Sequence, residues 1–194
     1  RERLSQGAVL SAVMKVVLDT CVIYPTVMRQ MLLGVAARGV FTPLWSARII
    51  GEWLRAAEKL GREGVAQAHA EAALLDAAWP EAEVTYPAAL EARLWLPDAA
   101  DIHVLAAAIA GSADMIVTLN VKDFPRNILA EEGVSRADPD GFLHGIWQAQ
   151  PDLVQAVADE VLDEANRLSG RIWEMRALLK KARLPRVAKA VSGD

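Results

Sequence analysis

The sequence predicts an α/β fold, with a mainly parallel sheet flanked by helices and a helical extension at the carboxyl end. Two short apolar runs, 16–18 and 115–118, have the length and composition of buried strands. Segments with helical apolar spacing separate these runs and follow the second one. Such an alternation is typical of a parallel sheet covered on both faces. Beyond residue 142 the pattern is helical only, which predicts the extension.

The first predicted strand ends in Asp19, so we expect an acid at the carboxyl end of a buried strand. A helix follows, because Pro25 suits a helix start and the apolar residues after it keep helical spacing up to Gly39. Residues 42–45 break that pattern. Ser46 can then cap a second helix.

The middle of the chain predicts two more helices. Residues 62–78 are rich in alanine and favour a helix, and residues 84–86 are a weak candidate for a short strand or an extended link. The clearest helix of the chain begins near Asp98, a plausible N-cap, with Asp101 three residues further on. Gly111 ends it.

The carboxyl ends of parallel strands meet at one edge of a sheet, and ligands bind there. Asp19 and the loop 119–125, which follows the second strand, should therefore lie on the same rim. Helices are predicted after the turn at 139–141, over 143–149, 151–168 and 170–184. The predicted division is an amino-terminal extension, an α/β domain and a helical extension, at residues 1–14, 15–142 and 143–194.

Composition excludes several classes of protein. No apolar stretch approaches the ~18 residues that cross a bilayer, and no charged and apolar leader opens the chain, so we expect a cytoplasmic protein without a membrane partner. Cys21 is the single cysteine, which excludes an internal disulfide and argues against a structural zinc site. The net charge is −4, yet residues 167–189 hold eight basic residues and one acid. This basic tail is either a solvated helix face or a contact for RNA or a partner.

Four acids each occupy an element end or a helix directed at the predicted rim: Asp19, Glu52, Asp101 and Asp123. Each has an ordinary explanation when taken alone, as a cap, a turn residue or an exposed helix residue. Clustered carboxylates, however, repel one another and raise each other's pKa, and a hard cation relieves that repulsion. Oxygen ligands of this kind favour Mg²⁺ or Mn²⁺.

Several of these segments resemble one protein family. Val-Leu-Asp-Thr-Cys-Val at 17–22 resembles the first strand of PIN domains, and Asp-Ile-His-Val-Leu-Ala-Ala-Ala at 101–108 resembles the helix that carries another ligand. Val-Thr-Leu-Asn-Val-Lys-Asp-Phe-Pro at 117–125 is similar to the loop that closes the site. Pro-Asp-Gly-Phe-Leu at 139–143 is similar to the end of the domain in one bacterial subgroup. The resemblance spans about residues 15–142 and implies a Rossmann-like sheet.

The resemblance also implies a ligand set. The positions that match catalytic and metal-binding acids are Asp19, Glu52, Asp101 and Asp123. Many PIN domains carry an acid where this chain has Asn120, so Asp123 is expected to substitute for it. The subgroup often has an acid at Ala100, and Asp98 is expected to supply part of that charge.

The activity implied is hydrolysis of RNA phosphodiester bonds with Mg²⁺ or Mn²⁺, as in VapC-like toxins. A small antitoxin protein and a homodimer are the partners that such toxins imply. Thr20 and Thr118 are expected to position ligands or to have a structural role. Substrate contacts are expected from basic residues at the rim, namely Lys122, Arg126 and Arg55.

Other functions remain open or are disfavoured. A PIN fold that binds RNA or protein without cleavage is the main alternative, because of Asn120, and a DNA nuclease is another. A haloacid-dehalogenase-like phosphatase needs a second acid at the position of Cys21, and a receiver domain needs an acid pair that is missing at the first strand. His103 is expected to be structural, and Trp45, Trp53 and Trp95 are expected in the core rather than against bases.

Overall fold

The computed structural model describes residues 13–193, so nearly all of the predicted amino-terminal extension lies outside the described residues. The described part contains a four-stranded sheet with the order β2-β1-β3-β4, in which every pairing is parallel. The strands are β1 (Lys15–Leu18), β2 (Thr42–Leu44), β3 (Met115–Val117) and β4 (Ser135–Ala137). Helices flank this sheet, which confirms the predicted α/β fold class.

The two central strands are the ones that the sequence predicts, and the two edge strands are not. Residues 42–45, interpreted as a break, contain β2, and Ser135–Ala137 carries no apolar run. Proline is tolerated in an edge strand, where its missing N–H is not needed by a second neighbour. Val84 donates its N–H to Trp45 O, but only Glu83 forms a bridge there, so no strand exists at 84–86.

Three helices follow the first strand. The helix α1 (Thr20–Ile23) begins directly after Asp19, and α2 (Thr26–Ala36) begins after Pro25, as predicted. The predicted cap of the third helix is confirmed, because Ser46 Oγ accepts a hydrogen bond from Ile49 N at 3.3 Å at the start of α3 (Ala47–Ala57). That helix carries Glu52.

The middle of the chain is mostly helical. The predicted alanine-rich helix is α4 (Gly61–Ala78), and two short helices that the sequence did not predict are α5 (Ala88–Arg93) and α7 (Arg126–Glu131). The helix α6 (Ile102–Ala110) follows a 3-10 turn, Ala99–Asp101, and ends at Gly111 as predicted. A second 3-10 turn, Val121–Asp123, lies in the loop after β3.

Four helices complete the described chain: α8 (Pro139–Ala149), α9 (Pro151–Ser169), α10 (Met175–Lys181) and α11 (Pro185–Ser192). The single helix predicted over 170–184 is wrong. Gly170 ends α9 with a left-handed φ of 63°, a conformation that glycine adopts without strain. Pro185 then begins α11, because a proline suits the first turn of a helix.

The carboxyl-terminal helices pack on the domain rather than standing apart. The helix α9 lies along α2, where a Cβ on Gly34 would be only 2.6 Å from Val157 Cγ1. The buried Asp140 carboxylate accepts hydrogen bonds from the N–H groups of Arg186 and Val187 at 3.0 and 3.1 Å, at the start of α11. One hydrophobic core includes residues from both regions. The predicted boundary at 142/143 falls inside α8, and the domain division stays a prediction.

None of the described helices combines the length and the apolar character that crossing a membrane requires.

Candidate functional site

Asp19 lies at the end of β1 and is nearly buried, with 4% of its surface exposed. Its Oδ1 accepts a hydrogen bond from Thr20 N at 2.7 Å, and its Oδ2 accepts one from Thr118 Oγ1 at 2.7 Å. Thr118 follows β3, the neighbour of β1 in the sheet. The two strand ends therefore meet at one rim, as predicted from their sequence.

Cys21 is a third donor to Asp19, with Sγ 3.2 Å from Oδ2. Burial, and then the negative charge of Asp19, raise the pKa of this thiol to about 12. The thiol therefore stays protonated at neutral pH and acts as a hydrogen-bond donor. This protonation state excludes a thiolate nucleophile at rest.

Asp101 ends the 3-10 turn that precedes α6. Its Oδ2 is buried, and no hydrogen bond to it is found among the described residues. Burial, followed by the charges of neighbouring carboxylates, raises the pKa of Asp101 from 3.8 to about 6. In falling order of effect, the neighbours are Asp19, Asp98, Asp123 and Glu52. The acids that are far apart in sequence therefore share one electrostatic environment.

Glu52 projects from α3 and links three parts of the fold. Its Oε2 accepts a hydrogen bond from Thr20 Oγ1 at 2.9 Å, and its Oε1 lies 3.0 Å from His103 Nε2. Two arginines of the same helix are more distant, with Arg48 Nε at 3.6 Å and Arg55 at 3.9 Å. Both carboxylate oxygens are thus engaged by protein donors.

His103 is 1% exposed and lies on α6, two residues after Asp101. Burial lowers its pKa, although the charge of Glu52 opposes that effect. A neutral imidazole that donates from Nε2 to Glu52 fits this position. His103 therefore has the structural role that the sequence predicts, and that role is to hold the side chain of Glu52 in place.

The remaining predicted site residues lie at the exposed margin. Asp98 Oδ1 accepts a hydrogen bond from Ala100 N at 2.9 Å, which confirms it as a cap. Asp123 is half-buried in the turn 121–123, and Asn120 is exposed, with its N–H bonded to Thr118 Oγ1 at 3.0 Å.

The predicted substrate-binding bases Lys122, Arg126 and Arg55 are all exposed. Trp45 and Trp53 are in the core, as expected. Trp95, in contrast, is 65% exposed on the segment that leads to Asp98, so its expected core position is wrong.

Oxygen ligands and a buried, unpartnered carboxylate oxygen fit a hard divalent cation. Within residues 13–193, however, no three histidine, cysteine, aspartate or glutamate side chains are grouped closely enough to hold one ion. Asp19 and Glu52 are instead engaged by hydroxyl, amide, thiol and imidazole donors. The acids form an electrostatic cluster rather than a finished coordination shell.

Some of this site could not be read from the sequence. The contact between His103 and Glu52 joins α6 to α3, and neither residue has a local pattern that pairs it with the other. The sequence predicts that Thr20 and Thr118 position ligands or have a structural role, and their hydroxyl groups donate to Glu52 and Asp19.

A family model described as PIN domain matches residues 15–122, more than half of the chain. Neither the comparison with curated proteins nor that with solved structures gives a match.

Proposed function

Because this chain belongs to the PIN-domain family, whose members are generally metal-dependent nucleases, we propose that it is a divalent-metal-dependent endoribonuclease. One observation carries the proposal. Burial, and then the charges of four other acids, raise the pKa of the half-buried Asp101 to about 6, and one of its oxygens has no hydrogen-bond partner within residues 13–193. Such an arrangement costs stability unless a cation compensates the charge.

Asp19, Asp101 and Asp123 would hold Mg²⁺ or Mn²⁺, with Glu52 completing the ligand set or orienting a water. When bound, such an ion polarises a phosphate oxygen and lowers the pKa of a coordinated water. The protein's own residues prepare the site. Donors from Thr118 and Cys21 fix the Asp19 carboxylate.

Glu52 is held in the same manner by Thr20 and His103. Partners of this kind orient ligands and raise their effectiveness, so they matter for the reaction without touching substrate. Both sets of donors come from elements at the rim, α1, α6 and the segment after β3. The site is therefore supported by the fold before any substrate arrives.

Basic and aromatic side chains at the margin of the acidic cluster would bind the RNA. Lys122 and Arg126 are exposed on the loop and helix after β3, where they can neutralise backbone phosphates. Trp95, exposed on the segment before Asp98, can stack on an unpaired base.

A toxin role is the biological context that we propose, on the basis of the resemblance to VapC-like proteins. A small antitoxin protein that covers the acidic rim, with a basic side chain near Asp101, would inhibit such an enzyme. A homodimer and a cytoplasmic location belong to the same proposal. Growth arrest on expression, relieved by a short neighbouring reading frame, would support it.

A second candidate is a PIN-fold module that binds RNA or protein without cleavage. Asn120, in place of an acid, favours it, as do the protein donors that occupy Asp19 and Glu52. A DNA nuclease is the third possibility.

One assay separates these functions. Labelled single-stranded RNA and DNA are incubated in parallel with the full chain in Mg²⁺, in Mn²⁺ and in EDTA. We expect RNA cleavage only with metal, reduced at least about 100-fold in Asp19→Asn and in Asp101→Asn. Asp163→Asn, at an exposed acid of α9, is the matched control and should cleave normally. Preferential cleavage of DNA, or binding of RNA without cleavage, would replace the ribonuclease proposal.

A further inference from the structure

A groove of about 570 Å³ lies between the start of α2, the end of α9 and α10. Its size is in the range of pockets that take a ligand as large as a nucleotide. Most of its lining is apolar, from Pro25, Val27, Leu168, Trp173, Leu178 and Ala182. None of these residues has a part in the nuclease chemistry described above.

One end of the groove, at Pro25, lies close in the chain to the acid that ends β1. Asp19 ends β1 and is separated from Pro25 only by the short helix α1. At ~1.5 Å per helical residue, these positions are on the order of 10 Å apart. A helix that follows a parallel strand starts near the carboxyl end of that strand and runs back along the sheet. The helix α2 therefore starts on the side of the sheet edge where Asp19 lies.

Two basic side chains lie over the ring of Trp173, which lines the groove. Arg171 Cζ lies 4.1 Å from the Trp173 ring centroid, and Lys181 Nζ lies 4.9 Å from it. Both basic residues are exposed. The backbone N–H of Trp173 donates to Asn166 Oδ1 at 2.6 Å, which anchors this segment to the end of α9.

The acid in the lining is compensated. Glu164 lies 2.6 Å from Arg167 in an ion pair, and a second hydrogen bond of 2.8 Å joins the same two side chains. Beyond that pair, residues 171–189 remain strongly positive, with seven basic residues against Glu174. This charge is complementary to a polyanion.

We propose that the groove binds single-stranded RNA, with bases against its apolar lining and phosphates at Arg171 and Lys181, the two cations over the Trp173 ring. Sites for single-stranded nucleic acid combine a basic track with aromatic surfaces in this manner. The proposal rests on the proposed function in one respect, since it takes RNA as the substrate. An acidic peptide would meet the same cations and is the competing ligand.

Binding is measured with the full-length Asp19→Asn variant in EDTA, by fluorescence anisotropy of a labelled single-stranded RNA. Adding Lys181→Glu should weaken binding about tenfold at low salt and lower the slope of log Kd against log salt by about 1. Leu168→Glu places a negative charge on the apolar wall of the groove and should weaken RNA binding to a similar extent. The Leu168 side chain is 64% exposed, so the substitution should leave the fold intact. Lys189→Glu, exposed on α11 outside the groove lining, is the charge-matched control and should change Kd less than about twofold.

Equal losses in Lys181→Glu and Lys189→Glu would show diffuse charge attraction and would overturn the proposal. Unchanged RNA binding in both groove variants, Lys181→Glu and Leu168→Glu, would also overturn it. The same holds if these variants bind an acidic peptide more weakly but bind RNA as before. The two proposals fail separately. If the unsubstituted chain cleaves RNA but Lys181→Glu does not change RNA binding, the groove proposal is wrong and the nuclease proposal stands. If the groove variants lose RNA binding and the control variant does not, but the unsubstituted chain does not cleave RNA, the nuclease proposal is wrong and the groove proposal stands.

Discussion

Asp101 is an acid whose ionisation affects the stability of the protein without metal. Its pKa of about 6 lies above the ordinary 3.8, so the folded chain holds this proton more tightly than the unfolded chain does. The stability that protonation provides is fully present below about pH 4 and is lost as the pH rises through about 6. Ionised Asp101 is repelled by its neighbours at neutral pH.

Asp101→Asn should therefore melt higher than the parent chain at pH 7 in EDTA, by ~2 to 4 °C for a contribution of ~1 kcal/mol. The difference should shrink towards zero at pH 4.5, where the parent carboxylate is protonated. Thermal denaturation of both chains at the two pH values measures it. A variant that melts lower at pH 7 would mean that the charge on Asp101 is not repelled.

His103 offers a test of the support around Glu52. His103→Ala removes the donor 3.0 Å from Glu52 Oε1 and should lower the rate of RNA cleavage about 10- to 100-fold. His103→Gln keeps an N–H donor at the same depth and should recover part of that loss. Circular dichroism of both variants controls for folding. If the two variants are equally slow, although both fold, the hydrogen bond to Glu52 has no role in the rate.

At the level of helices and strands, the carboxyl-terminal helices depend on a cap that is distant in sequence. Asp140→Ala would leave the N–H groups of Arg186 and Val187 without their acceptor, at a cost of about 1 to 2 kcal/mol. Urea denaturation measures the loss as a lower midpoint. Asp152→Ala, at an exposed acid in the first turn of α9, should change stability by less than about 1 kcal/mol. Equal effects would contradict the role of Asp140.

The elements that the sequence predicts are those with a strong local signal. The apolar runs at 16–18 and 115–118 are the central strands, and Ser46 and Gly111 begin and end helices as their chemistry indicates. The edge strands β2 and β4 have three residues each, and β2 contains Pro43. Their pairing is decided by the neighbouring strand, which no local pattern reveals.

The candidate site divides in the same way. The strand-end rule predicts that Asp19 and the loop after Thr118 lie on one rim, and the hydrogen bond between Asp19 and Thr118 joins the two strand ends there. The partners of Glu52 were beyond prediction, because His103 reaches it across the packing of two helices. The absence of three grouped ligands among the described residues was not foreseen either, because carboxylate positions depend on rotamers and donors that sequence does not specify.

For the molecule as a whole, the helices after residue 142 share the core of the sheet domain. Val154, Val157 and Leu179 are almost fully buried, and α9 packs along α2. A chain ended at residue 142 would expose the apolar face of α2 and cut α8 near its start. We expect such a chain to be unfolded or aggregated by circular dichroism and gel filtration, with the full chain as control. A cooperative, monomeric truncated chain would instead support an independent domain over 15–142.

The proposed nuclease activity depends on one physical feature, the convergence of distant acids on a pocket that a divalent ion would occupy. Anomalous diffraction from a crystal grown with Mn²⁺ tests it most directly. We predict a manganese peak at bonding distance from the carboxylates of Asp19 and Asp101, and no peak in crystals of Asp101→Asn. A well-ordered site with both carboxylates visible and no manganese between them, at millimolar Mn²⁺, would contradict the claim.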